Sequence, residues 1–274
     1  MKLALVTDLH ANREAVSAVM AHARAQGAQR FAFLGDYVGY GADPAWVVDL
    51  VRDHVDRGAI AVLGNHDEAV VAGPRPTMIA DARRVIEWTR AQLSADQIEF
   101  LAVRPMSATD ADTLYVHANA FAPAEWGYIE GRAEAARSLQ ATDRRFTFCG
   151  HVHDPRLYHL SAAGKAGEFV PTSGMPIPLS PQRRWLAVPG SAGQPRDGNP
   201  AVCYAIFEPD SATLTFHRVA YDHDAAAAGP GDRRLPARRA HPSRRHGAAV
   251  AGDARRVRRP AATDHEGAAH QGWR

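Results

Sequence analysis

The sequence predicts an α/β fold in which parallel strands alternate with helices, and three observations lead there. Short aliphatic runs alternate with stretches whose apolar residues recur every three to four positions. Most of the aliphatic runs stop abruptly in Gly, Asp, Asn or His. No apolar run reaches the roughly 18 residues needed to cross a bilayer. Alternation of this kind pairs strands in parallel and lays helices on the faces of the sheet.

Residues 2–7 read as a buried strand, and Asn12 as the cap of a helix whose apolar positions are Ala15, Val16, Val19, Met20 and Ala23. Residues 31–34 form a second strand ending in Gly35-Asp36. Asp43-Pro44 opens a helix through Val47, Val48 and Val51, with proline suited to the first turn. Residues 59–63 are a third strand running into Gly64-Asn65-His66-Asp67. Residues 79–93 have helical spacing, and Ser94-Ala95-Asp96-Gln97 fits a capping box before a further helix. Strands are expected at 113–116, 146–149 and 185–188, and a hairpin at 202–207 and 213–219 turning over Pro209-Asp210. The Gly, Pro and Ser content between Leu160 and Arg184 predicts loops.

The periodic pattern covers residues 1–222 and fails over 223–274, an Arg-, Ala- and Pro-rich tail expected to be disordered or a translated frameshift rather than a functional arm. Within 229–274 there are eleven arginines against four acidic residues, a balance of +7, so a formal charge of +2 leaves −5 on the rest. A mildly acidic globular part gives no electrostatic footing for nucleic acid. Cys149 and Cys203 cannot make a disulfide framework, and the N-terminus lacks the apolar stretch of a secretory signal, so a cytoplasmic protein is expected.

The strand ends carry the chemistry. They present Asp8-Leu9-His10, Gly35-Asp36, Gly64-Asn65-His66-Asp67, Val116-His117 and Gly150-His151-Val152-His153. Singly, each has an ordinary explanation: an Asp after a strand forms turns, Asn-His-Asp is a solvated turn, and His117 is a core histidine. Together they matter, because in an α/β sheet the C-terminal strand ends open on one crevice. Carboxylate, amide oxygen and imidazole suit Mn, Fe or Zn, with no thiolate required. Two such ions about 4 Å apart clamp the attacking and leaving oxygens of a phosphoryl transfer. A carboxylate has two oxygens and can bridge them, and Asp36 is the natural candidate.

These stretches, with Thr7 to Asn12 and Gly35 to Gly41 around them, make the chain resemble the calcineurin-like metallophosphoesterases over residues 1–222. The resemblance implies two packed mixed sheets flanked by helices in four layers. It implies that Asp8, His10, Asp36 and His153 hold one divalent ion and that Asp36, Asn65, His117 and His151 hold another. It also implies attack on a phosphomonoester or phosphodiester by a hydroxide held between the ions, with His66 protonating the leaving oxygen or steadying the phosphoryl group. The protein phosphatases of that superfamily carry Asp and Arg where this chain has Gly39 and Tyr40, which argues against a protein phosphatase and leaves open what orients His66. Gly39-Tyr40-Gly41 is similar instead to small bacterial phosphoesterases, which share the segment from Pro189 to Arg196. That segment is a candidate to bring backbone N–H groups and Arg196 to a substrate phosphate, and Tyr37, Tyr40 and Trp126 are candidates to stack on a base. The expected partner is a small phosphorylated molecule, nucleotides included, rather than membrane or nucleic acid. Two other classes of function stay open: a non-catalytic metal-binding scaffold, and a metal-dependent nuclease.

Overall fold

The structure, a computed structural model, describes residues 1–74 and 80–228. The expected helix start at Ile79 and the tail beyond Ala228 lie outside the described residues. In chain order the strands are β1 (Leu3–Val6), β2 (Arg30–Phe33), β3 (Ile60–Ala61), β4 (Ser107–Asp110), β5 (Thr113–Val116), β6 (Phe146–Phe148), β7 (Arg156–Ser161), β8 (Ala166–Phe169), β9 (Pro176–Pro178), β10 (Arg183–Val188), β11 (Val202–Glu208) and β12 (Thr213–Val219). The helices are α1 (Arg13–Ala25), α2 (Pro44–Val55), α3 (Asn65–Ala72), α4 (Ala80–Ala91), α5 (Ala95–Ala102), α6 (Arg132–Gln140) and α7 (His223–Ala228).

Two mixed six-stranded sheets result, in the orders β3-β2-β1-β11-β12-β9 and β4-β5-β6-β10-β7-β8. In the first, β1, β2 and β3 run parallel; in the second, β5, β6 and β10 do. The alternation of side chains along each strand decides what each face meets. On β1, Leu3 and Leu5 point between the sheets, while Ala4 and Val6 point to the helices. On β10, Trp185 and Ala187 face the first sheet, and Leu186 and Val188 pack with Leu139 of α6. The layers are therefore helix, sheet, sheet, helix. The inter-sheet core is rich in aromatics: Phe207 lies 4.9 Å from Phe146 and 5.1 Å from Phe148, ring centre to ring centre. Truncating Phe207 to alanine should cost about 3–5 kcal/mol through lost burial and the cavity left behind.

Local caps follow the sequence. Asn12 Oδ1 accepts from Ala15 N at 3.1 Å, and Ser94 and Gln97 make the reciprocal capping box. Three readings change. The 160–184 stretch holds two strands, β8 and β9, and not only loops. Asn65 and His66 are the first residues of α3 rather than a solvated turn. The chain also continues past Asp222 as the short helix α7, against α1. Among the described residues no helix is long and apolar enough to cross a membrane.

Candidate metal centre

The parallel strands β1, β2, β5 and β6 end on one crevice between the sheets. There Asp8, His10, Asp36 and His153 each offer one ligand-type atom to a common point, as do Asp36, His117 and His151. Within each group these atoms lie within 4.8 Å of one another, and all six residues are buried. Asp36 belongs to both groups. Asn65 adjoins the second, its Oδ1 3.2 Å from His117 Nε2. The structure thus brings all seven candidate ligands together, His117 included, although a core histidine was the ordinary expectation there.

The second nitrogen of each imidazole fixes what the first can do. His10, His153 and His117 turn Nδ1 to the carbonyls of Val38 (3.2 Å), Gln194 (2.6 Å) and Leu34 (2.7 Å). A carbonyl only accepts, so the proton of each neutral ring sits on Nδ1 and Nε2 is bare. His151 is reversed, donating from Nε2 to the Trp126 carbonyl at 2.9 Å and leaving Nδ1 bare. When both rings are neutral, His10 Nε2 and His153 Nε2 stand 3.1 Å apart with lone pairs facing. A cation about 2 Å from each, the ordinary metal–imidazole distance, makes that contact favourable. The donor set fits a divalent metal.

The electrostatics agree. Burial drives His10 well below the usual imidazole range, lowers His66, and brings His151 to about 4. Burial would raise Asp8 and Asp36, but His153 beside Asp8 and His117 beside Asp36 hold both below the usual carboxylate range. His117 is the exception: burial opposes its charge, yet Asp36 Oδ2 at 3.4 Å pushes it up to about 9. Ligation needs neutral imidazole, so filling that group releases a proton.

Backbone conformation marks the same residues. Ten non-glycine residues among those described have positive φ, and Asp8, His10, Asp36, Tyr40, His151 and His153 are six of them. The left-handed region costs an L-residue of the order of 1 kcal/mol, and such strain gathers at functional sites.

Asp67 was not among the expected site residues, yet it joins the loops of the centre. Fully buried, it accepts from Asp36 N (2.9 Å) and Gly64 N (3.0 Å) on one oxygen, and from Tyr37 N (2.9 Å) and Val38 N (3.3 Å) on the other. Burial, and then the charge of Asp36, push its carboxyl up to about 8 against the pull of these amides. Its position three residues into α3, where a side chain reaches back to the Gly64 amide, was the available signal.

His66 gives its backbone N–H to Asp36 Oδ1 at 2.9 Å, and its ring packs 4.6 Å from Tyr40 and 5.0 Å from His10. Among the described residues its Nδ1 is buried without a hydrogen-bond partner. A Cβ at position 39 would come within 2.5 Å of that nitrogen, so Gly39 is the residue the ring allows. Among the described residues no carboxylate hydrogen-bonds the His66 ring, which packs against Tyr40 and His10.

Two other expectations are corrected, for Tyr37 and for the segment from Pro189 to Arg196. Tyr37 is fully buried with its hydroxyl on the Val62 carbonyl, closed to any base. Trp126 gives its indole N–H to Glu68 at 3.0 Å and its carbonyl to His151. In the segment from Pro189 to Arg196 the amides of Ala192, Gly193 and Gln194 are spent on Thr7 O, Asp8 O and Ser191 Oγ, not left for a phosphate. Its service is to brace the Asp8 loop. Arg196 is exposed, donates to Gln194 Oε1 at 3.2 Å, and its charge helps to lower His66. Beside His10 and Tyr40 opens a cavity of about 210 Å³.

Comparison with known proteins bears on this geometry. The sequence profile of the calcineurin-like phosphoesterase superfamily domain matches residues 1–212. The protein MJ0912 of Methanocaldococcus jannaschii is 30% identical over 244 residues, 85% of this chain and 93% of its own. A metallophosphoesterase from Sphaerobacter thermophilus superposes with a TM-score of 0.73 at 36% identity, over 83% of this chain and 92% of its own. The hypothetical protein PH1004 of Pyrococcus horikoshii OT3, at TM-score 0.63 and 15% identity over 81% of this chain and 89% of its own, shares the fold.

Proposed function

This chain belongs to the calcineurin-like phosphoesterase superfamily, and on that premise we propose that it hydrolyses a phosphomonoester or phosphodiester of a small molecule at the Asp36 centre. The observation that carries the reading is the pair of buried clusters sharing Asp36. One divalent ion is assigned to Asp8, His10, Asp36 and His153, and a second to Asp36, Asn65, His117 and His151, with Mn, Fe and Zn all suited to these donors. Such ions supply Lewis acidity to the phosphoryl oxygens and lower the pKa of water.

The chain's own residues do the rest. The carbonyls of Leu34, Val38 and Gln194 fix three rings so that each presents Nε2 inward. His66 gives a proton or a hydrogen bond to the leaving oxygen as its charge grows. Tyr40 packs on His66 and borders the substrate, and Arg196 reaches from the exposed rim to a phosphate oxygen. The test is a Mn, Fe or Zn titration of the stripped protein against bis-nitrophenyl phosphate and nitrophenyl phosphate. Hydrolysis that rises with bound metal supports the reading. Two bound ions and no turnover of any ester in a broad panel would leave a metal-binding scaffold.

A further inference from the structure

The cavity beside His10 and Tyr40 has walls that say what it takes. Asn12, Glu14, Tyr40 and Asp43 line it, with Ala226 and Ala227 of α7, and among the described residues no Lys or Arg borders it. Asp43 stands at the N-cap of α2, yet its side chain makes no capping bond. It is 8% exposed, and among the described residues its carboxylate has no hydrogen-bond or ion-pair partner. With no donor of its own, that carboxylate can accept from a ligand in the cavity it borders. The backbone at this point is held in place, Asp43 N on Ala11 O at 3.0 Å and Gly41 N on His10 O at 2.9 Å. Asn12 does not serve it: its Oδ1 caps α1, and its Nδ2 donates to Gly193 O at 2.8 Å and to Tyr221 Oη at 3.4 Å.

We propose that Asp43, aided by Glu14, reads hydroxyl groups on the alcohol portion of the substrate, so that the substrate is a phosphate ester of a sugar or polyol. This rests on the phosphoesterase reading above. Two carboxylates repel a second phosphate on that portion, and an ammonium group would face the cations of the neighbouring centre. Neutral hydroxyl donors satisfy both, as carboxylates do on ribose hydroxyls in dinucleotide sites. At about 210 Å³ the cavity has room for one sugar-sized group.

The test compares glycerol 3-phosphate with propyl phosphate, which differ only in hydroxyls. Kinetics on the metal-loaded wild type and Asp43→Ala are paired with calorimetric binding on His66→Ala, where turnover is slow, with and without Asp43→Ala. Wild type should favour the hydroxylated ester by about tenfold or more in kcat/KM, the scale of one hydrogen bond to a charged group. Asp43→Ala should bring the ratio near unity while propyl phosphate changes by less than about threefold. Asp43→Asn, which keeps one acceptor oxygen and the shape, should fall between and guards against a folding artefact. Equal binding of the two esters, or a preference that survives Asp43→Ala, overturns the assignment even if both esters are hydrolysed. Preferential binding with no turnover keeps it and overturns the phosphoesterase reading instead.

Discussion

His10 and His153 face each other through Nε2 atoms 3.1 Å apart, and in the neutral form of each ring the single proton lies on Nδ1, against a backbone carbonyl. No hydrogen bond can form between two such nitrogens, and a shared cation removes the repulsion.

The wild type should therefore bind two divalent ions per chain. Asp36→Ala should hold neither tightly, because both groups lose the same carboxylate, whereas His153→Ala should lose one. Metal analysis after gel filtration decides this. Saturation at 1,000 times Kd should add about 4 kcal/mol of stability. Equal metal content in wild type and Asp36→Ala would remove Asp36 as the bridge.

His66→Ala should keep both ions and lose about 10²-fold or more in kcat on an alkyl ester, with KM changed less. A nitrophenyl ester, whose leaving group needs little protonation, should suffer less. Loss of a metal ion from this variant, or an unchanged kcat on the alkyl ester, would show that the ring does something else.

Asp67→Ala should be the most damaging substitution that touches no substrate. It strands the amides of Asp36, Tyr37, Val38 and Gly64, and a single unsatisfied buried group costs about 1–3 kcal/mol. A fall in Tm of several degrees with weakened metal binding is expected. Asp67→Asn, with one acceptor oxygen, should recover part of it. A Tm within a degree of wild type would mean that the loops hold without this carboxylate.

Acid should destabilise the fold partly through His217, which stacks on Tyr204 at 5.0 Å and lies 5.3 Å from His22. Burial, then the charges of His22 and Lys2, lower it from 6.5 to about 4. A base held below its unfolded value contributes stability while neutral, and that contribution drains as pH falls from about 6.5 towards 4. His217→Phe keeps the stack and cannot take the proton, so its Tm should fall less between pH 7.5 and pH 5. Parallel Tm curves for the two proteins would exclude His217 from the acid response.

A chain cut after Ala228 should keep its stability, its metal and its kinetics, since nothing from Gly229 on has periodic apolar residues. A cut after Asp222 should differ. It removes α7 and with it the Ala226–Ala227 wall, so KM for a substrate seated there should rise while metal content holds. Identical kinetics for the two truncations would show that α7 does not bound the substrate.

The legible part of this protein is what side chains must do at strand ends. Asp8, His10, Asp36, Asn65, His117, His151 and His153 could be read because polar ligand types interrupt aliphatic runs where a core strand would continue. Asp67 was legible only in part: its place three residues past Gly64 signals a bond back to that amide, but its other partners, the amides of Asp36, Tyr37 and Val38, leave no trace in sequence. The edge strands were hidden for a related reason. β9 is Pro176–Pro178, and proline argues against a strand except at an edge, where β9 lies. β8 mixes glycine with exposed positions and lacks alternation. Asp43 stands at the N-cap of α2 but its carboxylate caps nothing, which residue type alone does not show.

Five of the seven assigned ligands occupy backbone that a glycine would adopt without penalty. The consequence is evolutionary. Each of these side chains stands where drift towards a more stable chain would erase it, since relaxing left-handed positions gains stability while activity alone resists the change. A lineage that ceased to need the centre would shed these residues first, one at a time, and grow more heat-resistant as it did so.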